Sequence, residues 1–282
     1  MKRFLAALGC VLAGLAIPLF LFRCDFIKPN NSSAEDRFDD SVHGKTKQLI
    51  IPEPADPQHF SFLWMTDMHI KEDEGDYLNE IGNFASNKNA SFILHSGDLA
   101  DNGEESEYDY FLQREAEALP APFYSAIGNH DLYGDGWDAF KDKIGPSVFS
   151  FDFGNSFFVV TDSANCEIGG KQMDWIEGRL SETHAKNIFV LSHFCLYDGE
   201  IETPAILCDP DERLKFLSLL KKYDVDYFLC GHKHYVQKDT FEGTTHIMGG
   251  TCSTVRKPYN SEPLFYYFQV NGGDVDFDKI YP

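Results

Sequence analysis

The stretch Phe60-Ser61-Phe62-Leu63-Trp64-Met65-Thr66-Asp67-Met68-His69 governs the reading of the chain. Residues 60–65, apolar except for Ser61 and rich in aromatics, predict a buried strand. A carboxylate and an imidazole, one residue apart, follow where that strand must end. The same succession recurs four times. Phe92-Ile93-Leu94-His95 leads to Gly97-Asp98, and Phe123-Tyr124-Ser125-Ala126-Ile127 leads to Gly128-Asn129-His130-Asp131. Ile188 to Leu191 leads to His193, and Tyr227 to Cys230 leads to Gly231-His232-Lys233-His234. In open α/β sheets, the loops leaving the carboxyl ends of strands gather at one edge, so residues far apart in sequence can meet there. The glycines before Asp98, Asn129 and His232 are read as relaxing the backbone at these sharp exits.

Between the strands the pattern predicts helices over Asp76 to Asn87, Glu104 to Leu119, Gln172 to His184 and Asp211 to Lys222. Strands separated by helices imply parallel pairing with crossovers. The rhythm changes at Val148 to Phe153 and Ser156 to Thr161, which flank Gly154-Asn155 as a hairpin. From Val236 onward the chain is strand-rich, with turns at Glu242-Gly243 and Gly272-Gly273. Two packed sheets with helices outside are expected, in one α/β domain over 58–282. His95 and His246 are assigned to strands, and Glu104, Glu105 and Glu107 to a solvated helix start.

The 282 residues carry a net charge of -21, which disfavours binding to a nucleic-acid duplex, since that rests on Lys and Arg against phosphates. Lys2-Arg3 precede an uncharged apolar run from Phe4 to Phe22, and Arg23 follows. About 20 such residues can cross the roughly 30 Å hydrocarbon core. Segment 1–23 is read as a membrane anchor or a signal segment; the lack of a clear small-x-small cleavage site favours the anchor. The domain would then be exported, periplasmic or extracellular, and membrane-anchored, or secreted after cleavage. Residues 24–57, polar and with Pro52, Pro54 and Pro57, read as a linker. No C-x-x-C pair suggests a thiolate metal site. Cys195 and Cys208 are the first disulfide pair to test, against free buried thiols as the other reading.

The polar residues at the strand ends are Asp67, His69, Asp98, Asn129, His193, His232 and His234. Carboxylate, imidazole and amide donors without thiolate suit Mn, Fe, Zn or Ni rather than Ca or Mg. Two cations about 3.5–4 Å apart need a bridging carboxylate, for which Asp98 is the candidate. The ordered blocks D-x-H, G-D, G-N-H-D, a lone His and G-H-x-H, over about residues 58–250, resemble the calcineurin-like metallophosphoesterases and their bacterial phosphodiesterase-like branch.

The resemblance implies a four-layer α/β/β/α sandwich of two mixed sheets, with a binuclear metal site at the strand C-terminal edge. It places Asp67, His69 and His234 on one metal and Asn129, His193 and His232 on the other, with Asp98 between them. Two divalent or trivalent ions, Mn, Fe or Zn, would be the cofactors. His130 would be the catalytic residue, meeting the phosphate and assisting the leaving group. The implied activity is hydrolysis of small phosphodiesters or phosphomonoesters by a metal-bridging hydroxide. A non-catalytic metal-binding scaffold that recruits a protein partner is the alternative, disfavoured because His130 and every ligand position are filled. Purple acid phosphatases carry a Tyr three residues after the G-D Asp; Asp101 stands there instead, so a tyrosinate–iron bond is not expected. Asp131 is a candidate for orienting a ligand. Tyr133, Trp137 and Tyr197 are candidates for stacking on a substrate ring, and loops 132–146 and 194–209 are where specificity is expected.

Overall fold

The computed structural model describes residues 32–72, 74–197 and 206–282. The expected anchor or signal segment 1–23 lies outside the described residues, as do the first part of the expected linker and the middle of loop 194–209. Among the described residues, no helix is long and apolar enough to cross a membrane.

Strand β1 (His59–Met65) pairs in parallel with β2 (Ile93–His95), which pairs in parallel with β3 (Phe123–Ser125). On the other side of β1, β10 (Phe265–Asn271) and β11 (Asp274–Ile280) add antiparallel, giving the order β11-β10-β1-β2-β3. The second sheet runs β4-β5-β6-β7-β9-β8. Its members are β4 (Phe149–Phe153), β5 (Ser156–Val160), β6 (Asn187–Leu191), β7 (Tyr227–Cys230), β8 (Val236–Phe241) and β9 (Thr244–Gly249).

Both sheets turn apolar side chains inward and outward, because each is covered on both faces. Phe62, Trp64 and Phe92 of the first sheet meet Phe158, Phe189 and Leu229 of the second. Phe62 stacks on Phe92 at 5.2 Å and on Phe268 at 4.9 Å, and meets Phe158 and Phe189 edge-on. Each such ring contributes about 1.5–3 kcal/mol by burial. Helices α2 (Leu78–Lys88), α3 (Glu105–Ala118) and α4 (Gly136–Lys143) cover the outer face of the first sheet through Ile81, Phe111 and Phe140. Helices α5 (Gly170–Glu182) and α6 (Pro210–Lys222) cover the second through Ile176 and Phe216. The expected layering α/β/β/α is the observed one.

Three local readings are corrected. Residues 34–42, assigned to the polar linker, form helix α1 (Ala34–Val42), started by a capping box in which Ser33 and Asp36 bond each other's backbone N–H. Ala34, Arg37 and Phe38, at helical spacing, face the domain. Phe38 meets Trp175 of α5 edge-on at 6.3 Å, and Arg37 forms a fully buried ion pair with Asp162. The dense charge of this segment disguised a helix with one inward stripe. Second, Glu107 is buried, not solvated, and accepts hydrogen bonds from the Asn102 and Glu104 backbones.

Third, Cys195 and Cys208 do not pair. Among the described residues the disulfides are Cys195–Cys230 and Cys166–Cys208, each with Cα atoms 5.4 Å apart, and Cys252 is buried and free. Cys195 lies just past β6 and Cys230 ends the neighbouring parallel strand β7, so strand pairing rather than loop proximity brings them together.

Candidate metal centre

The exits of β1, β2, β3, β6 and β7 converge at one edge, where two sets of donors lie side by side. Asp67, His69, Asp98 and His234 form one, and Asp98, His193 and His232 the other, with donor atoms of each set within 4.8 Å of one another. Asp98 belongs to both. Asn129 Oδ1 lies 3.0 Å from His193 Nε2, which places it with the second set. His69, Asp101 and His130 form a third grouping alongside. The eight residues singled out at the strand ends, His130 included, are therefore brought together.

The backbone is unusual at this edge. Asp67, His69, Asp98, His232 and His234 all have left-handed φ, between 45° and 66°. Non-glycine residues rarely adopt it, and such strain concentrates at functional sites. Gly97, before Asp98, has the expected positive φ of 97°, but at the β1 and β7 exits the ligand candidates themselves make the sharp turn, and Gly128 and Gly231 serve otherwise. A Cβ on Gly128 would overlap the Asp98 backbone and carboxylate, and one on Gly231 would overlap Thr66 and the Asp67 carboxylate. These glycines are needed for close approach.

Hydrogen bonds aim the donors. His193 Nδ1 donates to the Ser96 carbonyl at 3.0 Å, so Nε2 is the ring nitrogen that faces Asn129 Oδ1 and Asp98. Ser163 Oγ accepts from the N–H groups of His193 and Phe194 and fixes that turn. Asp101 Oδ1 lies 3.4 Å from His69 Nδ1, which leaves His69 Nε2 pointing at His234 Nε2, 3.0 Å away. His130 Nδ1 donates to the Asp101 carbonyl at 2.6 Å, so Nε2 faces outward, 3.5 Å from the Tyr133 hydroxyl. Asp131 accepts from the N–H groups of Leu99, Ala100 and Gly128, stapling the loops that carry Asp98 and Asn129.

The electrostatics are those of a buried anion–imidazole cluster. Burial opposes ionisation of Asp98, but the charges of His193, His130 and His69 outweigh it and hold the carboxyl well below its usual range. Asp67 falls to about 2 in the same way, with His234 as the main opposing influence. Burial disfavours the charged form of His193, yet Asp98 raises it to about 9. Burial and Asp98 together raise Asp131 to about 6. Buried carboxylates with imidazole nitrogens aimed at one another, and no thiolate among them, fit divalent metal ions.

The sequence profile of the calcineurin-like phosphoesterases matches residues 60–236, more than half of the chain. The protein belongs to this family. A probable cyclic nucleotide phosphodiesterase from Rhodococcus erythropolis is 24% identical over 230 residues, which cover 70% of this chain and 72% of that protein. A probable glycerophosphodiester phosphodiesterase from Arcobacter nitrofigilis is 26% identical over 155 residues, 51% of this chain and 56% of its own. A dimetal phosphatase from Danio rerio shares the fold, with a TM-score of 0.60 and 14% identity over 79% of this chain and 98% of that one. This calcineurin-like phosphoesterase is a hydrolase of phosphoester bonds.

The strand-end motifs did not flag every residue at the site. Asp101 entered the sequence reading only as a missing Tyr, yet its side chain and carbonyl hold His69 and His130. Thr251 donates to the Asp67 carbonyl at 2.6 Å, and Arg256 Nε donates to Asp101 at 2.9 Å. Both lie beyond the last motif, in the β9–β10 connection. Tyr133 packs against the His130 ring, Trp137 is buried, and Tyr197 is partly exposed beside Phe241.

Proposed function

We infer that the protein hydrolyses small phosphodiesters at a two-metal centre, with Asp67, His69 and His234 holding one ion, Asn129, His193 and His232 the other, and Asp98 shared. The observation that carries this reading is the membership of Asp98 in both donor sets. The names of the two curated relatives support the diester class. Mn²⁺, Fe²⁺ and Zn²⁺ suit these donors.

Bound there, a cation pair would supply an acidified water as nucleophile and offset charge on the phosphoryl oxygens. The chain's own contribution is positioning and proton transfer. Asp131 and Ser163 hold the loops so that Asp98 and His193 keep their places. The Asp101 carbonyl fixes the His130 ring with Nδ1–H inward, so Nε2 is the nitrogen turned toward the site. When protonated, Nε2 would donate to a phosphoryl or leaving-group oxygen, a role worth about 10²–10⁴-fold. Burial of Asp67, His69, Asp98 and His193 keeps solvent from competing for them. No covalent intermediate on the protein is required.

The deciding experiment uses metal-stripped protein reconstituted with Mn²⁺ and bis(p-nitrophenyl) phosphate. Wild type should release p-nitrophenol only when metal is restored. Asp98→Asn should lose activity by at least about 10³-fold, since it weakens both sites together. Full activity in that variant would overturn the assignment. We also propose that the domain works in an oxidising compartment outside the cytoplasm, tethered or released by segment 1–23. The two disulfides support this, and protease accessibility on intact cells tests it.

A further inference from the structure

We propose that Arg256 and Lys71 form an anion subsite beside the metal centre, selecting phosphodiesters whose organic group carries a second negative charge. This rests on the hydrolase reading above and adds a substrate class to it. Arg256 Nε donates to Asp101 Oδ1 at 2.9 Å, and Lys71 Nζ lies 4.0 Å from the other carboxylate oxygen. The same Asp101 Oδ1 lies 3.4 Å from His69 Nδ1, and the Asp101 carbonyl holds His130. Both cations therefore stand one residue, Asp101, away from His69 and His130. The Arg256 charge also acts on the phenol of Tyr133, 3.5 Å from His130 Nε2.

Their placement is fixed. Ser253 Oγ accepts the N–H groups of Val255 and Arg256, and Thr251 of the same loop is anchored on the Asp67 carbonyl. The guanidinium Nη groups have no hydrogen-bond partner among the described residues, and the Arg256 and Lys71 side chains are each 42% exposed.

The pairing at Asp101 differs from that at several surface lysines. The whole chain has 24 Lys and Arg against 45 Asp and Glu. Elsewhere one lysine serves two carboxylates, as Lys143 does with Glu105 and Asp109, and Lys171 with Glu35 and Asp39. At Asp101 the ratio is reversed, with two cations on one carboxylate that is already engaged by His69. The free planar donors of the guanidinium match a carboxylate or a second phosphate on the substrate. In a protein of net charge -21, such a group would otherwise be repelled.

The test compares two diesters with the same leaving group, p-nitrophenyl phenyl phosphate and p-nitrophenyl 4-carboxyphenyl phosphate, with Mn²⁺-loaded enzyme. Wild type should favour the carboxylated diester in kcat/KM by about tenfold, the scale of one charge-assisted hydrogen bond at a half-exposed site. Arg256→Gln and Lys71→Gln should each bring the ratio toward one, and Arg256→Lys should retain part of it. Because the readout is a ratio, a general loss of activity does not imitate the effect. The Kd ratio of phenylphosphonate to 4-carboxyphenylphosphonate, by calorimetry, reads the subsite without turnover. Hydrolysis with both ratios unchanged in Arg256→Gln would overturn the subsite and leave the hydrolase reading standing. No hydrolysis of either diester, with a Kd ratio that falls in the variant, would overturn the hydrolase reading and leave the subsite.

Discussion

Replacing Arg37 with Met tests whether the segment before β1 is part of the domain. Arg37 donates through Nε and Nη2 to the two carboxylate oxygens of Asp162 at 2.7 and 2.9 Å, and neither side chain has measurable exposure. Its Nη1 donates to the Ser32 carbonyl. Met fills similar volume but leaves the Asp162 carboxylate buried with, among the described residues, only the Ala164 N–H on it. Removing one partner of such a pair costs about 3–5 kcal/mol. With a urea slope of about 3 kcal/mol per M, the upper end of the small-protein range, the unfolding midpoint should fall by about 1–1.7 M. Trp175, packed against Phe38 of α1, gives a fluorescence signal close to the change. Adding Asp162→Asn should restore at least about 2 kcal/mol, because the uncompensated charge is gone while the amide oxygen still serves Ala164. As control, Lys45→Met breaks an exposed pair with Asp40 and should cost no more than about 1 kcal/mol. A midpoint shift below about 0.3 M for Arg37→Met, or a double variant no better than the single one, would refute the reasoning.

Two further outcomes follow from the titrating groups. His193 is raised to about 9 in the metal-free protein, so it is charged at neutral pH, and Asp67 raises His234 against the effect of burial. Their protonation stabilises the metal-free fold fully below pH 6.5, and for His193 this is lost as pH rises through 9. A metal ion needs the neutral ring, so binding should release protons, and affinity should rise by about tenfold or more per pH unit from 7 to 9. Calorimetric heats that do not depend on the buffer's ionisation enthalpy would contradict this. His246 lies between Phe228 and Phe241, and burial lowers it to about 4, so it is neutral in the fold and charges on unfolding below pH 6.5. Its contribution is present above pH 6.5 and is lost as pH falls toward 4. His246→Leu should therefore reduce the slope of stability against pH in that window by up to about 1.4 kcal/mol per unit, as read by urea midpoints across pH.

The layers and the convergence of the site were legible because both depend on local signals. An apolar run marks a strand, and the polar residues after it mark where the loop edge must be; Phe60 to His69 contains both. Features made by contacts between distant segments were not legible. Cys195 pairs with Cys230 because β6 and β7 are neighbours, which spacing cannot reveal. Arg37 reaches Asp162 across 125 residues, and Arg256 reaches Asp101 across 155. In each case the sequence shows an unremarkable charged residue in a polar stretch, and only the folded chain supplies its partner.

The left-handed backbone at Asp67, His69, Asp98, His232 and His234 ties these levels together. Each such residue costs about 1–3 kcal/mol, so the surroundings must over-determine it. They do so by locking the loops to one another. His69 N–H donates to the Asp98 carbonyl, Asp67 N–H to the Gly97 carbonyl, and His232 N–H to the Asp67 carboxylate. Every strained ligand candidate except His234 is thus joined to another of these loops by its own backbone. A substitution that loosens one exit should therefore disturb the aim of donors on the others. This explains why Asp131, Ser163 and Thr251, whose bonds run from side chain to backbone, support the site: they fix the loops from which the donors project.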